Sequence, residues 1–126
     1  MLLNTPSTAY RTLLYHACIT RIRSFGYMGA HAWDKEAAVL FCQPDKGLRY
    51  LSVTSAGIPL GGVTAMNEAG LTFAVHQHVA CLNVKLGGQP VGVIGDEVMR
   101  RAQTLKEAQL LLDAHTPNSC WTLPAS

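Results

Sequence analysis

Charge is scarce in this chain: Asp, Glu, Lys and Arg make up 14% of its 126 residues, and aromatic residues only 7%. That excludes a disordered or purely solvating role, which combines high net charge with low hydrophobicity; here 48% of residues are hydrophobic and the net charge is +2. The basic groups that stand close together are Arg21, Arg23, Arg100 and Arg101. They are too sparse for the footprint that phosphate backbones select, so nucleic acid is not expected as a partner. No run approaches the roughly 18 to 20 apolar residues of a membrane span. Met1 to Thr20 has no basic n-region, and its apolar stretch Leu13 to Ile19 is interrupted by His16, so it does not read as a signal peptide. Cys18, Cys42, Cys81 and Cys120 are dispersed and form no C-x-x-C pair, which excludes a zinc ribbon and a dense disulfide frame. Reduced thiols, no membrane and a cytoplasmic location are expected. Gly57, Gly61 and Gly62 precede no phosphate-cradling G-x-x-x-x-G-K-[ST] pattern, and no cofactor is expected.

What is present suits one domain, residues 1–126, with a real hydrophobic core. Ser7 or Thr8 can cap a helix running toward Thr20, because Tyr10, Leu13, Leu14, Ala17 and Cys18 recur at near-helical spacing. Residues 1–22 are therefore read as an N-terminal helix, and Arg23 to Glu36, rich in Gly and aromatics without period, as loop. Ala38 to Cys42 and Leu48 to Ser55 make one hairpin about Pro44-Asp45-Lys46-Gly47. Val63 to Met66 and Leu71 to Val79 make a second about Asn67-Glu68-Ala69-Gly70, where Gly70 can supply a positive φ. Asn67 fits such a turn by itself, since Asn bonds its own backbone, and is given a structural role. Pro90 suits a helix start, and Val91, Ile94, Val98 and Ala102 share one face of a helix over Val91 to Gln103. Thr104 and Glu107 form a capping box opening Leu105 to Ala114, and Cys120 to Leu123 looks like a strand. The fold class is α+β, an antiparallel sheet of two hairpins with helices on one face.

Phe41 to Gly47 ("FCQPDKG"), Tyr50 to Val53 ("YLSV"), "GGVTAMNEAGL" and the helix pair "VGVIGDEVMRRAQTLKEAQLLL" resemble the acyl-CoA:6-aminopenicillanic acid acyltransferase and choloylglycine hydrolase group. The likeness runs over residues 23–126 in order and spacing, and Met66 to Leu71 between two strands is its most specific piece. It implies part of an N-terminal-nucleophile (Ntn) hydrolase αββα sandwich, the middle of such a domain behind a divergent N-terminus. It also implies cutting or transfer of linear amides by a cysteine freed through self-cleavage, with an Arg and an Asp beside it and amide donors holding the oxyanion. A thiolate is the reactive species and a nearby cation favours it, while preorganised donors stabilise the tetrahedral oxygen.

Carried onto this chain, the resemblance makes Cys18 the nucleophile, Arg23 its cationic neighbour and His76 or Gln77 the oxyanion donor. The family's R-N-x-D stretch falls on Arg23-Ser24-Phe25-Gly26, where Ser24 and Gly26 replace the Asn and the Asp. Two functional expectations follow: a cysteine-dependent hydrolase or acyltransferase for a small linear amide, or a catalytically inactive remnant serving as an oligomeric structural or small-molecule-binding domain. A sheet lacking its second layer would expose an apolar face, so the expected partner is the chain itself. His76 and His78, two apart on a strand, could also hold zinc with Asp96, Glu97, His31 or Asp34, although polar residues on an open strand face need no ligand.

Overall fold

The computed structural model describes residues 10–15, 18–23, 35–55, 57, 64–77, 85–123 and 125–126. The chain divides into two compact units, Met1–Lys35 and Glu36–Ser126.

In the first unit, β1 (Tyr10–Tyr15) and β2 (Cys18–Arg23) pair antiparallel, from Tyr15 opposite Cys18 to Tyr10 opposite Arg23. This corrects the helix expected toward Thr20. Short apolar runs fit helical and strand periods alike, and composition then decides. Thr12, Ile19, Thr20 and Ile22 are β-branched and Tyr10 and Tyr15 aromatic, residue types that suit a pleated surface better than a helix.

In the second unit, β3 (Ala37–Cys42), β4 (Tyr50–Ser55), β5 (Thr64–Asn67) and β6 (Thr72–Ala74) form an antiparallel sheet in sequential order. Both expected hairpins are present, with Val39 opposite Val53 in the first and Met66 opposite Thr72 in the second. The long strand expected over Leu71 to Val79 is divided: β6 stops at Ala74, and β7 (His76–Gln77) pairs instead with β8 (Trp121–Thr122). The cause is a change of partner, since Phe73 also bridges to Ala125 and Ser126 exchanges backbone hydrogen bonds with Thr72. Val79 and His78 lie outside the described residues.

Among its described residues the second unit adds two helices to this α+β fold, α1 (Val91–Arg101) after Pro90 and α2 (Leu105–Asp113). The capping box forms: Thr104 Oγ1 accepts from Glu107 N at 3.3 Å, and Glu107 Oε2 accepts from Gln103 N at 2.7 Å. Tyr50, Ala65, Leu71, Phe73 and Val75 from the sheet region meet Val98, Met99, Ala102 and Ala108 from the helices in one core. Strand alternation sends Tyr50, Ser52 and Thr54 inward and leaves Val39, Phe41 and Val53 on the outer face, 55%, 84% and 48% exposed. No helix among the described residues is long and apolar enough to cross a membrane.

Candidate functional site

The most concentrated chemistry of the second unit lies where the first hairpin meets α1. Cys42 ends β3 and Tyr50 begins β4, directly opposite each other. The turn between them docks on the end of α1: Gly47 takes φ +106°, and Leu48 N donates to Arg100 O at 2.8 Å. That docking brings Tyr50 to α1, where its hydroxyl donates to Asp96 Oδ1 at 2.5 Å. Asp96 Oδ2 lies 2.9 Å from Arg100 Nε, one helical turn on.

Burial, then hydrogen bonding to Asp96 and to Cys42, holds the Tyr50 hydroxyl well above the ordinary phenol range. Tyr50 therefore keeps its proton at neutral pH and acts as a donor. Cys42 carries a free thiol and is half-buried. It borders two clefts, one of about 290 Å³ lined also by Pro44, Asp96 and Arg100, the other of about 390 Å³ lined also by Arg49, Met66 and Glu68. Such volumes stand at the lower end of small-molecule sites.

Behind this cluster, Asn67 is buried with its side chain fully used. Nδ2 donates to Met99 O at 3.1 Å and to Ala102 O at 2.7 Å, while Oδ1 accepts from Ala69 N at 3.1 Å and Leu71 N at 3.0 Å. The amide closes its own turn and fastens it to the carbonyl end of α1, which has no intrahelical donors left for those oxygens. Glu68 accepts from Arg49 N at 2.9 Å and from Arg49 Nε at 2.8 Å. The Arg49 backbone N–H, followed by its guanidinium, holds the Glu68 carboxyl below the ordinary carboxylate range.

A third polar group joins α1 to the segment before it. His115 Nε2 lies 3.0 Å from Glu97 Oε2, its Nδ1 meets Gln89, and Arg101 takes the other Glu97 oxygen. Asp96 and Glu97, both weighed as zinc ligands, are thus engaged with other side chains. His31, Asp34 and His78 lie outside the described residues, and no group of three metal-ligating side chains stands together among those described.

The four expected site residues fall into two pairs. Cys18 opens β2 and Arg23 closes it, five strand steps or about 16 Å of backbone apart. His76 and Gln77 form β7, opposite Thr122 and Trp121, and His76 is half-buried. The reduced state expected for all cysteines is corrected at Cys120, which is disulfide-bonded; spacing along a sequence does not report which sulfurs meet in space.

The sequence reading missed the Cys42, Tyr50, Asp96 and Arg100 cluster. Half of it was within reach: Asp96 and Arg100 are an i, i+4 pair on a helix that was expected. The contact of Tyr50 with Asp96 spans 46 positions and leaves no local trace. Comparison with protein-family models, with curated proteins and with solved structures finds no match for this chain.

Proposed function

We propose that this chain is a catalytically silent relative of the penicillin acyltransferase and choloylglycine hydrolase group that works as a self-assembling structural domain. The observation that carries this reading is the outer sheet face, where Val39, Phe41 and Val53 present apolar side chains to solvent in adjacent positions. In the sandwich that the resemblance implies, a second layer would cover such a face; here a further copy of the chain supplies the cover. The described polar side chains next to it support the silent reading, because Asn67, Glu68, Asp96 and Tyr50 are spent on holding the fold. Light scattering of the pure protein tests it, with an oligomer expected and a stable monomer at about 100 μM overturning the assembly claim.

One observation favours the enzyme reading as a second proposal: Cys18 is the first residue of a strand, a position compatible with the strand-borne nucleophile that the resemblance implies. In that reading Cys18 attacks the carbonyl of a linear amide, the amine leaves, and water or an acceptor then takes the acyl group from the thioester. Alkylation of Cys18 against pH separates the two proposals. A midpoint well below the roughly 8.5 of a free thiol, with a mass showing cleavage before Cys18, supports the enzyme. A Cys18 that reacts only after unfolding, in a chain of full mass, supports the silent domain.

A cytoplasmic location is part of the proposal, and Cys120 tests it. Disulfides persist in oxidising compartments and are rare in the cytosol. Acid trapping of thiols in cells should therefore find Cys120 reduced if the chain resides there, and oxidised if it does not.

A further inference from the structure

We infer that Cys42 is a covalent modification site: its thiol exchanges with a low-molecular-weight disulfide that bears a carboxylate, and the Arg100 guanidinium seats that carboxylate. The inference stands apart from self-assembly, because Cys42 ends β3 on the face turned toward the core, opposite Tyr50, and not on the outer face of Val39, Phe41 and Val53. Cys42 carries a free thiol and is half-buried at the wall of a cleft of about 290 Å³. Phe41 and Pro44 contribute apolar lining to that cleft, and Asp96 and Arg100 its charges.

Arg100 supplies the recognition beside the thiol. Its Nε is buried, and Asp96 Oδ2 at 2.9 Å is near enough for charge pairing while no aligned hydrogen bond forms. Asp96 Oδ1 already accepts from the Tyr50 hydroxyl. The terminal guanidinium nitrogens have no partner among the described residues, and the side chain is 39% exposed where it lines the cleft. A planar fork with one edge toward Asp96 and the other open matches a carboxylate bidentately. The Asp96 charge opposes an anion, so the site suits a singly charged group rather than a phosphate. Arg49, at the neighbouring cleft, is already spent on Glu68.

Burial and its bonds to Asp96 and Cys42 keep the Tyr50 hydroxyl protonated, so a hydrogen-bonding group stays beside the sulfur at neutral pH. Exchange runs through the thiolate. Cys42 gives its proton to water and its sulfur attacks one sulfur of the disulfide. A new S–S bond forms as the old one breaks, and the second half leaves as a thiolate that takes up a proton. The small disulfide is the oxidant, and its departing half is what becomes reduced. A half-buried thiol in a cleft at the lower end of small-molecule volumes admits such a reagent more readily than a protein surface.

Exchange of the full chain with dithiodipropionate and with its neutral diamide, probes of matched shape, tests the inference. Peptide mapping locates the mixed disulfide, and each rate at Cys42 is divided by that of the urea-unfolded chain, which cancels the probes' own reactivity. Cys42 of the folded parent should prefer the carboxylate about tenfold. The preference should shrink toward parity as salt rises. Arg100→Gln should remove it, whereas a mere opening of the cleft would speed both probes alike. Should that variant not fold, the salt dependence of the parent decides the seating by itself. A Cys42 that forms no mixed disulfide before unfolding overturns the site. Equal corrected rates in the parent, or a preference that survives salt or Arg100→Gln, overturn the seating by Arg100.

Discussion

Tyr50 donates its hydroxyl to Asp96 across the boundary between sheet and helix, at 2.5 Å. Asp96 in turn holds Arg100 on its own helix at 2.9 Å, so a single carboxylate ties β4 and the last turn of α1 together. Tyr50→Phe removes the donor and leaves the carboxylate with one partner fewer, which should cost about 2 kcal/mol in urea unfolding at neutral pH. The pH dependence has a definite sign. The folded state holds the Tyr50 proton above the ordinary value of 10.0, whereas the unfolded chain releases it there. The bond's contribution is fully present below pH 10 and is lost as pH rises further. The stability gap between parent and Tyr50→Phe should therefore narrow from pH 10 upward; a constant gap would remove the account.

Asn67 predicts a larger loss. Its amide makes four hydrogen bonds while only 4% exposed. Asn67→Ala leaves two backbone N–H groups and two carbonyls to find new partners, and about 3 kcal/mol should be lost. Asn67→Asp should not rescue, because it sets an acceptor against the carbonyls of Met99 and Ala102. Urea midpoints of both variants, with hydrogen exchange at the Leu71 amide, measure this.

Much of the second unit could be read from local pattern because its determinants are local. The alternation of Ala38 to Cys42, the turn at Pro44 to Gly47 and the box of Thr104 with Glu107 each lie within a few residues of what they specify. The rest failed where partners are distant. Tyr10, Leu13, Leu14 and Cys18 match a helical face, yet the β-branched Thr12, Ile19, Thr20 and Ile22 around them prevail once β1 and β2 pair. The break at Val75 follows from a strand more than forty positions downstream, and Cys120 meets its sulfur partner for reasons no spacing reports. Cys18, Arg23, His76 and Gln77 came from a resemblance carried over position by position, and such a mapping places residues on strands without saying which strands meet.

Glu68 gives a prediction at acid pH. Its carboxyl should titrate below the ordinary 4.5, first because the Arg49 backbone N–H donates to it and only then because of the guanidinium. Stability from this contact is present above the ordinary value and fades as pH falls through the depressed one. Arg49→Ala keeps the backbone donor, so carbon-detected titration should show the depression reduced yet retained. A full return to 4.5 in that variant would assign the effect to the side chain alone.

Two glycines with positive φ separate strain from collision. Gly57, at φ +86°, has nothing among the described residues within 4 Å of where a Cβ would stand, so Gly57→Ala should lose about 1 kcal/mol for left-handed backbone alone. Gly47, at φ +106°, would place that Cβ 2.6 Å from Arg100 O, the same oxygen that accepts from Leu48 N. A backbone oxygen at a helix end cannot swing aside as a side chain can, so the turn itself must retreat. Gly47→Ala should therefore cost about 3 kcal/mol, and the retreat should lengthen the reach of Tyr50 to Asp96. Urea midpoints report the first effect. The second appears in Gly47→Ala as a smaller added penalty from Tyr50→Phe than the same substitution carries in the parent chain; strictly additive losses would show that turn and hydroxyl are independent.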